Sequence, residues 1–143
     1  DGVLMIRALA ILLFLFVAMQ FIRPEKVEYK KDLDTELKAP EEIRQILLKA
    51  CYDCHSNEIN YPWYSNVAPF SWVVVNHTTE GVKALNFSNW EKYNYVLKEE
   101  KLKAIYRTVY SAMPLPAYAW VHKDAELTKE ERQMIRDWTG VRK

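Results

Sequence analysis

The sequence has almost no net charge of either sign. It contains 20 lysine and arginine residues and 19 aspartate and glutamate residues, which leaves a formal charge of +1. Nucleic-acid binding usually needs a concentrated basic face, so this balance argues against a nucleic-acid partner. The sequence also lacks internal repeats, low-complexity tracts and a convincing pair of strands. With 143 residues, 27% of them charged, the chain is predicted to form one domain plus a short extra segment.

Cysteine is scarce as well, because the chain has only two. Both belong to Cys51-Tyr52-Asp53-Cys54-His55, which is the C-x-x-C-H pattern of c-type haem attachment. In that pattern the two thiols add to the vinyl groups of the porphyrin, and the adjacent histidine ligates the iron. The sequence therefore predicts one covalently attached haem c, held by Cys51, Cys54 and His55.

Three other roles for the cysteine pair are weaker. A tetrahedral zinc site needs about four ligands, and the chain has no second cysteine pair, although His77 or His122 could contribute. A thioredoxin-like redox pair would need a βαβ context, which we do not find in the sequence. A structural disulfide across two intervening residues is weaker still.

A long apolar stretch begins the chain. Residues 2–22 are apolar except for Arg7 and Gln20. A helix of that length rises about 30 Å, which matches the hydrocarbon thickness of a bilayer. A cleaved signal peptide is the alternative, but no A-x-A site follows the apolar stretch. We therefore expect residues 1–23 to be an uncleaved transmembrane anchor, and the polar, aperiodic residues 24–39 to be a tether that spaces the domain from the lipid.

Residues 40–143 show helical patterns and are predicted to form the haem domain. The first helix is expected from Pro40 to the cysteine motif, and the second from Pro69 to about Thr79, with Gly81 as its stop. A short helix is expected from Asn89 behind Ser88, and a longer one through Leu102 and Tyr110 to about Ala112. The last helix is expected from Thr128, where Glu131 completes a capping box, and its inner face carries Met134, Ile135 and Trp138. The five tryptophans are expected to shield a large flat cofactor from water.

The second axial ligand of a haem iron could come from several side chains. Met113 stands just before Pro114, in a segment that cannot be regular helix, so its side chain is free to face a cofactor. Met134 is better explained as core packing on the last helix. His77 and His122 are alternatives, and His77 is the stronger of the two. The sequence therefore favours Met113 as the distal ligand, with His77 as the alternative.

The motif, the methionine followed by proline and the C-terminal helix resemble class I cytochromes c. The chain more closely resembles the bacterial haem-binding domain family of small, membrane-anchored monohaem proteins. The segments that carry this resemblance are residues 51–55, Pro69-Phe70-Ser71-Trp72, Leu85-Asn86-Phe87-Ser88 with Trp90, Met113-Pro114-Leu115 with Tyr118, and residues 127–138. The resemblance implies an all-α, cytochrome c-like haem domain with His55 proximal and Met113 distal. It also implies histidines at the places of His77 and His122.

These observations predict a single-haem electron carrier rather than an enzyme, because two protein ligands leave no iron site for substrate. Haem c attachment occurs on the outer side of the bacterial inner membrane. We therefore expect a single-pass protein of the inner (cytoplasmic) membrane, with its haem domain in the periplasm. Its partners would be the lipid bilayer and membrane-bound or periplasmic redox proteins.

Two alternatives stay open at this point. One is a haem-based sensor or a peroxidase-like protein, in which the distal position is open or weakly held and His77 acts as acid or base. The other is a fixed subunit of a larger membrane complex, with the anchor helix packed between other helices.

Overall fold

The computed structural model describes residues 2–30 and 32–141. Asp1, Lys31, Arg142 and Lys143 lie outside the described residues, so the predicted anchor, tether and domain are described without them. Over the described ranges the regular elements are all helical and no strand is found. The α-helices are α1 (Gly2–Met19), α2 (Glu41–Ala50), α3 (Tyr52–His55), α4 (Phe70–Ala84), α5 (Tyr95–Ser111), α6 (Pro116–Val121) and α7 (Lys129–Trp138), and 3-10 helices lie at Trp63–Asn66, Phe87–Lys92 and Lys123–Ala125. The predicted all-α class is confirmed.

Helix α1 has no buried residue along its 18 positions. A helix of 18 residues is about 27 Å long, which is close to the hydrocarbon thickness of about 30 Å in a bilayer. By length and composition α1 is therefore able to cross a membrane.

Helix α2 forms the rigid base of the cysteine motif. It follows Pro40 and carries two acidic residues in its first turn, where they complement the positive end of the helix dipole. Its apolar residues at helical spacing are buried, namely Ile43, Ile46, Leu47 and Ala50. They join a core that includes Phe87 and Ile135, each only 1% exposed. Burial of each large apolar side chain contributes about 1.5–3 kcal/mol, so the end of α2 is firmly fixed.

Two helices extend beyond their predicted limits. Helix α4 continues through Gly81 to Ala84, so Gly81 is not the stop that its residue type suggests. Helix α5 begins at Tyr95, because the side chain of Asn94 accepts a hydrogen bond from the Leu97 amide and caps the first turn. A cap of this kind stabilises a helix by about 1 kcal/mol.

Two short segments also differ from expectation. The helix predicted from Asn89 behind Ser88 is a 3-10 helix that begins two residues earlier, at Phe87, and its cap is Asn86, whose side chain accepts from the Ser88 amide. Helix α6 was not predicted. It begins at Pro116, where the missing proline N–H costs nothing because a first-turn amide has no partner within the helix.

Helix α7 begins with the predicted capping box. The Thr128 hydroxyl accepts from the Glu131 amide, and the Glu131 carboxylate accepts from the Thr128 amide. Ile135 is fully inside and Trp138 partly so, but Met134 is 36% exposed. The prediction of Met134 as a core residue is therefore wrong, because the buried face of α7 is narrow and is centred on Ile135.

The segment between α1 and α2 lies against the domain. The Gln20 side-chain amide bonds to the N–H and the carbonyl of Ala68 at 2.9 and 3.2 Å. The Trp72 indole donates to the carbonyl of Ile22 at 2.7 Å. Residues 35–37 then bond to the 3-10 helix that follows α4. The domain thus directly contacts the residues that follow α1.

Candidate functional site

The cysteine motif lies at the junction of α2 and α3. The backbone leaves helical geometry at Cys51, and the Cys51 carbonyl accepts hydrogen bonds from the amides of Cys54 and His55 at 3.1 and 3.0 Å. This tight turn brings both cysteines and the histidine to the wall of one cavity.

The His55 ring is oriented by the backbone of α4. Its Nδ1 lies 2.9 Å from the Gly81 carbonyl and 3.1 Å from the Leu85 carbonyl. Both partners are acceptors, so Nδ1 carries the proton and Nε2 keeps its lone pair. Burial lowers the pKa of His55, and this effect outweighs the two hydrogen bonds, which raise the pKa. The ring is therefore held as a neutral imidazole whose free nitrogen is suited to bind a metal.

The two thiols are held in their neutral form. Burial, with a smaller effect from Cys54, raises the pKa of Cys51 to about 12, and burial with the nearby Asp53 charge raises the pKa of Cys54 to about 11. Thioredoxin-like cysteines instead have lowered pKa values. Within residues 2–30 and 32–141, no three His, Cys, Asp or Glu side chains converge as ligands of a single ion. These features do not suit a zinc site or a dithiol redox centre.

Gly81 allows α4 to approach the motif closely. A Cβ at this position would lie 2.5 Å from the Cys54 carbonyl oxygen and 3.3 Å from the Cys54 carbonyl carbon and Cβ. Any side chain would therefore push α4 away from the motif and from His55. Gly81 is there because the two backbones touch.

Two adjoining cavities, of about 290 Å³ and 170 Å³, border the motif. Both are walled by Cys51, His55, Ala84, Met113 and Pro114. The smaller cavity includes core residues and is lined mostly by aliphatic side chains, whereas the lining of the larger one includes two polar, exposed residues, His77 and Glu80. Cofactor sites are typically apolar clefts with a few placed polar groups. The lining therefore suits a large, mostly apolar group that also carries polar substituents.

Met113, which lines both cavities, is held in place by an arginine from α7. The Arg132 guanidinium donates to the Met113 carbonyl at 2.9 Å and also to the Val109 carbonyl. The Met113 amide donates to the Thr108 carbonyl at 2.8 Å. The chain therefore leaves α5 in a defined direction, with the Met113 side chain partly buried at the wall of both cavities.

The other candidate ligands are placed differently. His77 lines the larger cavity, as Met113 does. His122 lines neither of the two cavities. It stacks on Tyr118, with ring centroids 4.4 Å apart, and its Nε2 lies 2.9 Å from the Tyr64 hydroxyl. Met134 is also absent from the described linings of both cavities.

Asp53, between the two cysteines, is tied to α6. The Tyr118 hydroxyl donates to the Asp53 carboxylate at 2.5 Å. Burial and this carboxylate raise the pKa of Tyr118, so the phenol stays protonated and remains a donor. The contact fixes α6 over the motif, and Tyr118 lines the larger cavity.

The roles of Gly81 and Arg132 at this site were missed by sequence reasoning. Gly81 had a signal, because it is the only glycine between residues 3 and 139. Arg132 had none, since nothing in the sequence distinguishes it from other exposed-face arginines. None of the five tryptophans, all of which the structure describes, lines either cavity, so their shielding of a cofactor stays a prediction. Trp90 is instead packed in the core, and Trp63 is 78% exposed.

Comparison with known proteins gives one family. The model of the haem-binding domain matches residues 14–140, which is nearly the whole chain and includes the cysteine motif, α4 and the Met113 segment. No curated protein and no solved structure matches the chain. The chain belongs to the haem-binding domain family.

Proposed function

We propose that this protein is a membrane-anchored monohaem c-type cytochrome that carries electrons. The haem would be attached covalently through Cys51 and Cys54, with His55 as proximal ligand and Met113 as distal ligand. The observation that carries this proposal is the position of His55. Its Nδ1 is fixed by two backbone carbonyls, and the residue lines the larger cavity. A neutral imidazole with a free Nε2 is what haem iron requires of a proximal histidine.

A bound haem would supply a reversible one-electron couple. The protein's own residues would tune it. The two carbonyls that accept from the Nδ1–H would fix the orientation of the His55 ring and strengthen Nε2 as a ligand. The mostly aliphatic lining of the smaller cavity would give the haem apolar surroundings. A methionine thioether opposite histidine favours the reduced state relative to a second histidine, so we expect a raised reduction potential.

We propose electron transfer rather than enzymatic turnover. With His55 and Met113 both bound, the iron would have no position left for a substrate. The redox partners would be membrane-bound or periplasmic proteins, and the protein could also be one subunit of a membrane redox complex.

The proposed location is the inner membrane, with α1 as the single crossing and the haem domain on the periplasmic side. The support is the length and apolar character of α1 together with the chemistry of the motif, since thioether attachment takes place on that side of the membrane. The N-terminus would then face the cytoplasm.

A haem-based sensor or a peroxidase-like protein is the second candidate. One observation favours it: His77 is exposed and lines the same cavity as Met113. If Met113 were not bound to iron, His77 would be a nearby acid or base. Carbon monoxide added to the reduced protein distinguishes the two, because an open iron would bind it rapidly and stoichiometrically.

The test of the first candidate is the absorption spectrum of the oxidised protein. Methionine sulfur on ferric haem c gives a weak band at the red end of the visible range. We expect this band in the wild type and in Met134→Ala, whose methionine lies away from the described linings, and we expect its loss in Met113→Ala. A band that survives in Met113→Ala would remove Met113 as the ligand.

A further inference from the structure

An exposed apolar surface lies beside the end of α1. Trp63 is 78% exposed, Phe70 59% and Val73 52%. We refer to these three residues as the Trp63 patch. Large apolar side chains grouped at a protein surface usually mark a contact with another protein or a membrane.

Hydrogen bonds fix the position of the Trp63 patch relative to α1. Phe70 lies between Ala68, which bonds to Gln20, and Trp72, which bonds to the Ile22 carbonyl at 2.7 Å. On the Trp63 side, Asn66 of the same 3-10 helix accepts from the Lys26 ammonium at 2.8 Å. The patch is therefore at the level of residues 20–26, immediately beyond the apolar helix.

This level is the edge of a bilayer if α1 crosses it. Phe21 and Ile22, the next apolar residues after α1, are 84% and 65% exposed and would sit at that edge. Tryptophan is enriched at such edges, because its ring is apolar and its N–H is polar. Apolar side chains of interfacial helices enter the boundary by about 5–10 Å.

We propose that Trp63, Phe70 and Val73 lie in the interfacial layer of the same bilayer that α1 crosses. The domain is then held against the membrane in one orientation, rather than moving freely on a tether. This inference rests on the proposed function only in requiring that α1 span the membrane. The partner of the patch is lipid, because the chain that carries the patch is bonded to the exit point of the apolar helix.

The orientation has a consequence for the cavity. Phe70, Val73 and His77 follow one another at helical spacing on the exposed side of α4. At about 1.5 Å per residue, His77 lies about 6 Å beyond Val73 along the helix, and Glu80 about 10 Å. Both line the larger cavity. This part of its lining would therefore be close to the lipid headgroups, where a partner within the membrane can reach it.

Hydroxyl-radical footprinting tests the contact. The full-length, haem-loaded protein is placed in nanodiscs of phosphatidylcholine and phosphatidylglycerol, one copy per disc. Oxidation of Trp63 is compared with that of Tyr95, each normalised to its rate in the unfolded chain. The two side chains are 78% and 80% exposed in the protein alone, so Tyr95 is a matched control. We expect Trp63 to react several-fold more slowly than Tyr95.

A charged substitution adds a second arm. Val73→Asp should raise the oxidation of Trp63 toward that of Tyr95, whereas Val96→Asp, at a position 63% exposed next to Tyr95, should leave it unchanged. Equal normalised rates for Trp63 and Tyr95 in discs that retain the protein after an alkaline wash would overturn the contact alone. Protection seen only in discs with two copies would assign the patch to a second copy and overturn it. Loss of the protein from the discs in the alkaline wash would also overturn the proposal that α1 spans the membrane.

Discussion

Gly81→Ala should damage the site through one contact. The new Cβ would lie 2.5 Å from the Cys54 carbonyl oxygen, about 1 Å inside ordinary contact distance, and neither backbone can rotate away. Helix α4 must therefore move outward by about 1 Å. The hydrogen bond of 2.9 Å from His55 Nδ1 to the Gly81 carbonyl would then be too long to hold.

The expected cost follows from three terms. Overpacking of this kind costs about 1–3 kcal/mol, and the lost hydrogen bond about 1 kcal/mol. The higher helix propensity of alanine relative to glycine stabilises the helix by about 1 kcal/mol. Because the contact is between backbones, we expect a net loss of about 2 kcal/mol, which lowers the melting temperature by roughly 10 °C in a domain of this size.

The assay is thermal unfolding of the haem-loaded protein, followed by circular dichroism, with the visible spectrum recorded at room temperature. Asn76→Ala is the control, because Asn76 is an exposed residue of α4 and the change should be neutral or slightly stabilising. A Gly81→Ala protein as stable as the wild type, with an unchanged spectrum, would refute the close-packing argument.

Two further predictions concern α7. Arg132→Gln should cost about 1–2 kcal/mol and weaken the methionine band in the absorption spectrum, because Arg132 donates to the carbonyls of Val109 and Met113; an unchanged band would mean that the arginine does not position the methionine. Burial raises the pKa of Glu131, but the Lys49 ammonium and the capping-box contacts with Thr128 outweigh it, so its pKa in the folded chain lies below its usual value of 4.5. The Glu131 carboxylate therefore stabilises the folded protein above pH 4.5, and this contribution is lost as the pH falls through the lower pKa of the folded state. The free energy of unfolding, measured by urea titration, should therefore fall more steeply on acidification in the wild type than in Glu131→Gln.

The helices set by local pattern were accessible from the sequence. Helix α2 behind Pro40 and the capping box of α7 depend on residues within a few positions of one another, and both were predicted. The chemistry at residues 51–55 was equally local, since the motif is defined by its own spacing.

The parts that were missed depend on contacts between distant segments. Gly81 looked like a helix stop, because its role as the contact point for Cys54 is set by the packing of α4 on α3. Arg132 acquires its role only when α7 lies beside the end of α5. The hydrogen bonds between residues 35–37 of the predicted tether and the domain were not anticipated, because such contacts have no periodic signature in the sequence.

The central claim is that the haem is bound covalently to the cysteine motif, and denaturing mass spectrometry of the intact protein tests it most directly. The chain has a mass of 16.9 kDa and two cysteines. For protein made in a host that attaches haem c, we predict this mass plus one haem after unfolding, no alkylation of Cys51 or Cys54, and a haem that stays with the chain in acidified acetone. The mass of the bare chain, with both thiols alkylated and the haem extracted, would contradict the account.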